Sequence, residues 1–578
     1  MVRLRPRGGT EIRKTITEKE KKIISLAEIA WSKSLKEFYY PPLDDPNYVF
    51  DYTRLEGFYI DPEHQWQITM NLANTPLFID DQKYIDYFFI ISLHEVSHYQ
   101  IIPYDGLIHA KLLRAAMTVI NQNYAPIVVN IFADLIIDTK LHQKYSNLIE
   151  WELNETYKFV ISKGRISDFS KFLFRTYEKM WNKEIFKDQP LKDMDSLAER
   201  VSRLILKDFE DESLWEKKVT QIAKTLKDLI QNTFNLIGTG GISDRNKEKR
   251  KSPNGAFLEV PKDVLKIMDN PLEIKNADRL KEDIEDELRQ KSEEFAKNIP
   301  YSEFGAPARQ SGILVDANAL STWYRGLARN LIEIKIFEKK QTGEIPAYPE
   351  IWRIGDRIEE LDVIQSLLNS PIIIPNITTR KWVYHEGTRN LIEQEIPDLL
   401  IVLDSSGSMK WNYNSRSNLG KGTYHTALIA AFASLHYAKM KGVKFSVINF
   451  SNKADICQWT NDYKKAEKVL LGYQGGGTFL PITEIANQCD KAEKKALVFI
   501  ITDFGIYNWS QAKKSMIKIT QKGHKIVGFF IGSKKIPFEK FKNLLDKVKF
   551  YGIGNPKDLI DLVINEIQNY YSHPKIGN

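Results

Sequence analysis

Cysteine is nearly absent: Cys457 and Cys489 are the only two in 578 residues. With no short spacing between them, they make neither a disulfide framework nor a thiolate zinc site, and they fit a reducing compartment. Long hydrophobic runs are absent too. No stretch approaches the ~20 apolar residues of a membrane span, and the N-terminus passes from a basic tail into a charged helix, Glu18 to Ala30, without the apolar core of a signal peptide. A cytoplasmic protein that uses no membrane is the expectation. Nor does one sign of charge dominate: 82 Lys and Arg face 75 Asp and Glu, a net charge of +7. That balance is too even to mark a nucleic-acid partner, and the short basic runs Arg3 to Arg7 and Arg245 to Lys251 read as a solvated tail and a solvated linker.

What remains is a globular composition, 43% hydrophobic and 27% charged, in a chain long enough for several domains. Residues 1–236 are mostly helical. The interruption, Gly57 to Asn71, reads as a hairpin around Asp61-Pro62-Glu63, so a mainly α (α+β) domain is expected. Residues 237–300 turn glycine-rich (Gly238, Gly240, Gly241) and then strongly charged, which predicts a flexible linker followed by a solvent-exposed helix, Lys281 to Glu294. A middle module of unassigned fold spans 301–395, with a helix at Ala317 to Phe337 and β-rich segments at Ile372 to Ile374 and Lys381 to His385. From 396 to 578 strands alternate with helices. Strands at Leu399 to Leu403, Lys444 to Phe450, Ala496 to Thr502 and Ile526 to Ile531, with helices at 424–440, 509–521, 537–547 and 556–571, predict a parallel, doubly wound α/β (Rossmann-like) domain. The whole is multidomain, and no internal repeat is visible.

His94-Glu95-Val96-Ser97-His98 places two imidazoles on one helix face beside a carboxylate, the zincin arrangement. A catalytic zinc takes a third protein ligand and keeps an open position. The helix Pro126 to Leu141 carries Asn130, Asp134 and Asp138 at four-residue spacing on one face. This layout resembles the gluzincins, and more closely the metallopeptidase-like domains fused to von Willebrand A-like domains, in which an Asn-x-x-x-Asp-x-x-x-Asn/Asp helix follows the His-Glu-x-x-His. The resemblance implies His94, His98 and Asp134 as zinc ligands, Glu95 as the catalytic base, and Asp138 as the group that orients a ligand histidine. Gluzincins generally use glutamate where Asp134 stands, and Asp138, His109 or His142 are the alternative third ligands. The metzincin pattern does not fit, because Ile101 and Tyr104 stand where it needs Gly and His. Tyr99 points away from His98 and reads as packing.

In the C-terminal domain the first strand runs into Asp404-Ser405-Ser406-Gly407-Ser408. A glycine loop ends in Thr478, and the strand Leu497 to Ile501 ends in Thr502-Asp503. Three loops present oxygen ligands at the carboxyl ends of strands, where open α/β sheets bind ligands. These residues resemble the metal-ion-dependent adhesion site of the von Willebrand factor A (vWA) family. The resemblance implies that Ser406, Ser408 and Thr478 hold Mg²⁺ or Mn²⁺, with Asp404 and Asp503 binding it directly or through water. Neutral hydroxyls leave such an ion short of negative charge, so an open position attracts a carboxylate from a protein partner. Asp503-Phe504-Gly505 copies a kinase triplet without the other kinase motifs, and Gly238 to Gly241 lacks the ending of a phosphate-binding loop. Kinship implies a MoxR-type AAA+ ATPase as the partner that supplies ATP hydrolysis. The expected function is a zinc-dependent peptidase acting on a peptide or protein substrate, joined to a Mg²⁺-dependent docking domain. The rival is a non-catalytic metal-binding adaptor or assembly factor, for instance in metal-cofactor insertion.

Overall fold

The computed structural model describes residues 17–39, 45–51, 58–61, 67–162, 166–186, 191–235, 281–340, 346–370, 372–384, 396–414, 422–532, 544 and 546–571. The linker 237–280, the turn at Pro62 and Glu63 and nearly all of the expected helix 537–547 lie outside them. Contacts divide the chain into two compact units, residues 1–295 with 303–319, and residues 296–302 with 320–578.

The first unit is mainly helical. Thr17 and Glu20 form a reciprocal cap at the start of α1 (Glu18–Glu37), and Asp80 caps α2 (Asp81–Gln100) by accepting from Gln82 N at 3.0 Å. Between them lie β1 (Asn47–Val49), β2 (Phe58–Asp61) and β3 (Gln67–Asn71), in the order β1-β3-β2. The strands β2 and β3 pair antiparallel from Phe58↔Met70 to Asp61↔Gln67, while β1 lies parallel to β3 on its other side. The sequence gives no sign of β1, a three-residue strand just after a proline-bearing segment.

Leu26, Ala30 and Trp31 of α1 pack with Phe88 and Val96 of α2 and with Ile68 and Met70 of β3. A second cluster joins Leu93 of α2 to Leu112 of α3 (Gly106–Met117), Phe132, Leu135 and Ile136 of α4 (Ala125–Ser162), Phe172 of α5 (Asp168–Trp181), Val201 of α6 (Asp195–Leu206) and Leu226 of α7 (Trp215–Asn235). The expected helix 126–141 is only the first part of α4. No Gly or Pro stands between Ile127 and Ser162 to stop it, and it continues through one non-helical residue, Tyr145. The helix expected to be solvent-exposed, α8 (Lys281–Ala296), instead buries Ser292, Glu293 and Phe295. One of its lysines is paired twice: Lys291 Nζ reaches Asp105 at 2.8 Å and Glu287 at 3.1 Å.

The helix expected at 317–337 is α10 (Ala319–Lys340), in the second unit from Leu320 on; α9 (Tyr301–Gln310), which precedes it in the chain, belongs to the first unit from Glu303 on. Next come β4 (Pro346–Ile351) and β5 (Arg380–Tyr384), an antiparallel pair with α11 (Val363–Asn369) between them. Ile372 to Ile374, expected as β-structure, is not a strand. Pro375 removes a donor, and the Thr378 hydroxyl and amide fold the segment into a turn on Ile374.

The main sheet holds β6 (Asp398–Asp404), β7 (Phe445–Phe450), β8 (Ala454–Thr460), β9 (Ala496–Thr502), β10 (Lys525–Ile531) and β11 (Lys549–Ile553), in the order β11-β10-β9-β6-β7-β8. All neighbours are parallel except β8, which runs antiparallel to β7. This corrects the expectation of a wholly parallel sheet: Ser451-Asn452-Lys453 is a turn too short for a crossover, so the chain must double back. Every residue of β6, β7 and β9 is buried. Leu400, Val402, Val498 and Ile500 pack with Ile485 of α14 (Ile482–Lys491) and with Ala512 and Met516 of α15 (Trp509–Gln521). Elsewhere α12 (Thr423–Met440), apolar almost all round because nearly all of it is buried, packs on α13 (Tyr463–Leu470) and α16 (Pro556–Tyr571).

Arg325 on α10 donates to Glu467 on α13 at 2.8 Å, with both side chains buried. Removing one partner of a buried pair typically costs about 3–5 kcal/mol, and replacing both costs far less. Arg325→Met should therefore lower the urea midpoint of the second unit sharply, and Arg325→Met/Glu467→Met should recover most of it. Equal losses in the single and double variants would contradict this reading.

Candidate functional site

On α2, the imidazoles of His94 and His98 stand one turn apart, their centroids 5.0 Å from each other. Each ring is fixed through Nδ1. His94 Nδ1 donates to Asp138 Oδ1 at 2.7 Å, and His98 Nδ1 donates to the Ile102 carbonyl, just past the helix end, at 3.2 Å. In neutral rings with Nδ1 protonated, Nε2 carries the lone pair. Both Nε2 atoms face the same atom, Asp134 Oδ1, each at 3.5 Å. Among the described residues, these three side chains are the group of His, Cys, Asp or Glu whose ligand atoms all lie within 4.8 Å of one another.

The helix α4 supplies the opposite side. Val128, Val129, Ile131, Phe132, Leu135 and Ile136 are buried in the core, which leaves Asn130, Asp134 and Asp138 as a polar stripe. Asn130 Nδ2 donates to Asp134 Oδ2 at 2.9 Å, whereas Asp134 Oδ1 is buried without a hydrogen bond. The orphaned oxygen is the one that faces both histidines. A buried carboxylate oxygen left so costs free energy unless something else meets it. Ligand atoms at about 2.0–2.1 Å from a tetrahedral ion stand roughly 3.3 Å apart, so two imidazole nitrogens and one carboxylate oxygen at this spacing suit zinc.

In the metal-free chain the electrostatics favour the imidazolium form of His94, whose Nε2 proton a metal would displace. Burial opposes charge on His94, but Asp138 and Asp134 more than offset this and hold its pKa well above the usual imidazole value. Burial likewise opposes ionisation of Asp134, yet His94 and His98 hold it down to about 2. The Glu95 carboxyl is pushed up, chiefly by burial, against the pull of the two histidines.

The alternative third ligands are engaged otherwise. Asp138 accepts from His94 at Oδ1 and from the Tyr177 hydroxyl at Oδ2, at 2.5 Å. His142 shares a hydrogen bond with Glu150 at 2.8 Å and stacks on Trp181 at 4.1 Å. His109 is buried in α3 and is not one of the clustered three. Tyr99 is buried among the core residues of α1 and α2. Tyr177 carries no motif that sequence reading could find, although Asn130 stands in the same four-residue series as the aspartates.

In the second unit, sheet order reverses at β6, whose neighbours are β7 on one side and β9 on the other. Asp404 ends β6, fully buried. Its Oδ2 accepts from the Thr502 hydroxyl at the end of β9 at 2.5 Å, and its Oδ1 accepts from Ser406 N at 2.8 Å. The Ser406 and Ser408 hydroxyls are 3.1 Å apart. Gly407 N donates to Gly476 O at 2.9 Å and Gly475 N to Ser405 O at 2.8 Å, tying the first loop to the glycine loop. Gly476 has φ +91°, and a side chain there would strike Asn452 at 2.9 Å. Tyr507 N donates to Thr478 O at 3.0 Å, which ties in the third loop. A Cβ added at Gly505 would stand 3.7 Å from both Asp503 Oδ1 and Thr478 Oγ1, so these two oxygens flank one point. Thr502 was not anticipated as the partner of Asp404; a hydroxyl at the end of an otherwise apolar strand is the signal that marks it.

No protein-family model and no curated protein matches the chain. Among solved structures, a von Willebrand factor type A protein from Catenulispora acidiphila is 17% identical over 30% of this chain and 43% of its own, with a TM-score of 0.24. The pilus adhesin SpaC from Lactobacillus rhamnosus GG is 12% identical over 31% of each chain, with a TM-score of 0.26. Proximal thread matrix protein 1 from the mussel byssus is 15% identical over 30% of this chain and 47% of its own, with a TM-score of 0.24. The chain spans less than half the length of each of these three, and nothing about function passes from them to it. Among the described residues, no helix is long and apolar enough to cross a membrane.

Burial raises the Asp404 carboxyl to about 6, with Thr502 and Ser406 pulling against it and Asp503 adding to the rise. A pKa raised on folding contributes stability that is complete below the unfolded value of 3.8 and is lost as pH climbs through about 6. In chelator, the second unit should therefore lose on the order of 2 kcal/mol between pH 4 and pH 7 from this group. Asp404→Asn should flatten that slope in calorimetric melts. An unchanged slope in the variant would remove Asp404 as its cause.

Proposed function

We propose that the first unit is a zinc-dependent peptidase and that the second contains a Mg²⁺-dependent docking domain of the von Willebrand factor A type. The observation that carries the peptidase reading is the convergence of His94 Nε2 and His98 Nε2 on the orphaned Oδ1 of Asp134. These three residues would hold the zinc. When bound, the ion supplies a water of lowered pKa and polarises a peptide carbonyl.

The chain's own groups do the rest. Glu95, adjacent to His94 and made more basic by burial, takes a proton from water on its carboxylate and returns it to the leaving amine nitrogen. Asp138 holds the proton at His94 Nδ1, and Tyr177 in turn orients Asp138. The strand β2 lies at an edge of the small sheet, and its backbone offers an extended peptide a strand to pair with.

In the second unit, Ser406, Ser408 and Thr478, with Asp404 and Asp503, would hold Mg²⁺ or Mn²⁺ and leave a position for a partner's Asp or Glu. The chain carries no phosphate-binding loop of its own. A MoxR-type AAA+ ATPase is therefore the partner proposed for any ATP-driven step, on the strength of kinship alone.

Elemental analysis tests the first site without a substrate. Wild type should carry about one zinc per chain, lost in His94→Ala and in Asp134→Ala but kept in Glu95→Gln. Glu95→Gln should lower peptide cleavage by at least about a hundredfold. Zinc retained by Asp134→Ala would point to another ligand, and a folded wild type that takes up no zinc would sink the peptidase reading. For the docking domain, Asp404→Ala should abolish divalent-dependent partner capture, and capture that persists in chelator would contradict it.

A further inference from the structure

The second site has a neighbour that metal binding does not use. Between residues 396 and 571, the large apolar or aromatic side chains exposed among the described residues are Met440, Phe479 and Tyr507. Two of these three touch. The rings of Phe479 and Tyr507 lie 5.2 Å apart, and their side chains are 50% and 71% exposed.

Both are anchored by their backbones. Phe479, the residue after Thr478, donates its amide to Ser451 O at 3.0 Å, and Tyr507 donates its amide to Thr478 O at 3.0 Å. The Tyr507 ring lies beside Gly477, where an added Cβ would come within 3.1 Å of Cε2 and 2.7 Å of Asn452 Oδ1. The bare glycine is therefore what gives the ring its seat. An exposed aromatic pair on anchored backbone loses little freedom when it is covered, and such side chains dominate the energetics of protein interfaces.

We infer that Phe479 and Tyr507 form a platform for a bulky apolar side chain next to the carboxylate that a partner protein presents to the metal. This rests on the docking reading above. Thr478 and Phe479 are consecutive, so the metal ligand and the platform begin about 3.8 Å apart along the chain. In an extended partner segment, neighbouring residues advance about 3.3 Å each, so an acidic residue and an apolar one within two positions of it span both. Among the described residues of the loops after β6, β7 and β9, Lys410 and Lys453 are exposed, while Asp503, a metal ligand in the docking reading, is half-buried, so the charge balance at this rim suits an acidic partner segment. The recognised partner is a protein segment with Asp or Glu beside Leu, Ile, Met, Phe or Trp.

The full chain can be tested on an array of short immobilised peptides that share a central Asp and carry Ala, Leu, Phe, Trp or Lys at the flanking positions. Binding is read in Mg²⁺ and in chelator, and Mn²⁺ binding is titrated separately by calorimetry. Wild type should retain Leu-, Phe- and Trp-flanked peptides in Mg²⁺ only. Phe479→Ser/Tyr507→Ser should weaken that retention by about tenfold or more while binding Mn²⁺ as wild type does, which also shows that it is folded. Asp404→Ala should lose the peptides and the Mn²⁺ uptake that belongs to the second site, while the uptake of the first site stays. Mg²⁺-dependent retention that ignores the flanking residue, favours Lys, or survives in the double variant overturns the platform and leaves the docking reading standing. A wild type that binds Mn²⁺ but retains no peptide in a Mg²⁺-dependent way overturns both.

Discussion

A carboxylate inside an apolar element must be met by hydrogen bonds or opposite charge, because the low-dielectric interior gives it no water to replace them. Two carboxylates, Asp134 partly buried and Asp404 fully so, organise the candidate sites. Asp134 projects from the apolar part of α4, and Asp404 ends a strand that is buried along its whole length. Around each, the fold supplies partial satisfaction from one direction. Asn130 meets one oxygen of Asp134, and Thr502 and the Ser406 amide meet the two oxygens of Asp404.

The two sites differ in what they hold without a metal. Asp134 faces two imidazoles and is held down to about 2, so it is charged even when it stands alone with them. Asp404 has hydroxyl and amide donors but Asp503 for an ionisable neighbour, and it is pushed up to about 6. The first arrangement already places two imidazole nitrogens and one carboxylate oxygen together, with both rings held through Nδ1. The second offers hard oxygens and lacks positive charge, a setting in which a hard divalent cation supplies what the chain does not.

Much of this was legible because both motifs are local. His94, Glu95 and His98 fall on one helix face by spacing alone, as do Asn130, Asp134 and Asp138, and the strand that ends in Asp404 is an unbroken apolar run. What the sequence conceals is long-range or short. The Tyr177–Asp138 hydrogen bond joins residues 39 apart and the Thr502–Asp404 bond residues 98 apart, with no periodicity to link them. The three-residue β1 is too short to show a pattern. The charges of α8 read as a solvated face because pairing with Asp105 cannot be seen along the chain. The antiparallel course of β8 depends on a three-residue turn, not on the composition of the strand.

The short arm of Asp134, one methylene less than a glutamate's, still reaches both histidines of α2. Leu93 on α2 lies in one core cluster with Ile131 and Leu135 of α4, residues that flank Asp134 on either side. Directly packed helices run about 8–10 Å apart. Across such a contact the Asp134 carboxylate meets both imidazoles of α2, 3.5 Å from each Nε2 atom. Residue 134 and the core behind it are therefore linked: a change of volume at Leu93 or Leu135 alters the helix contact on which the place of the carboxylate depends.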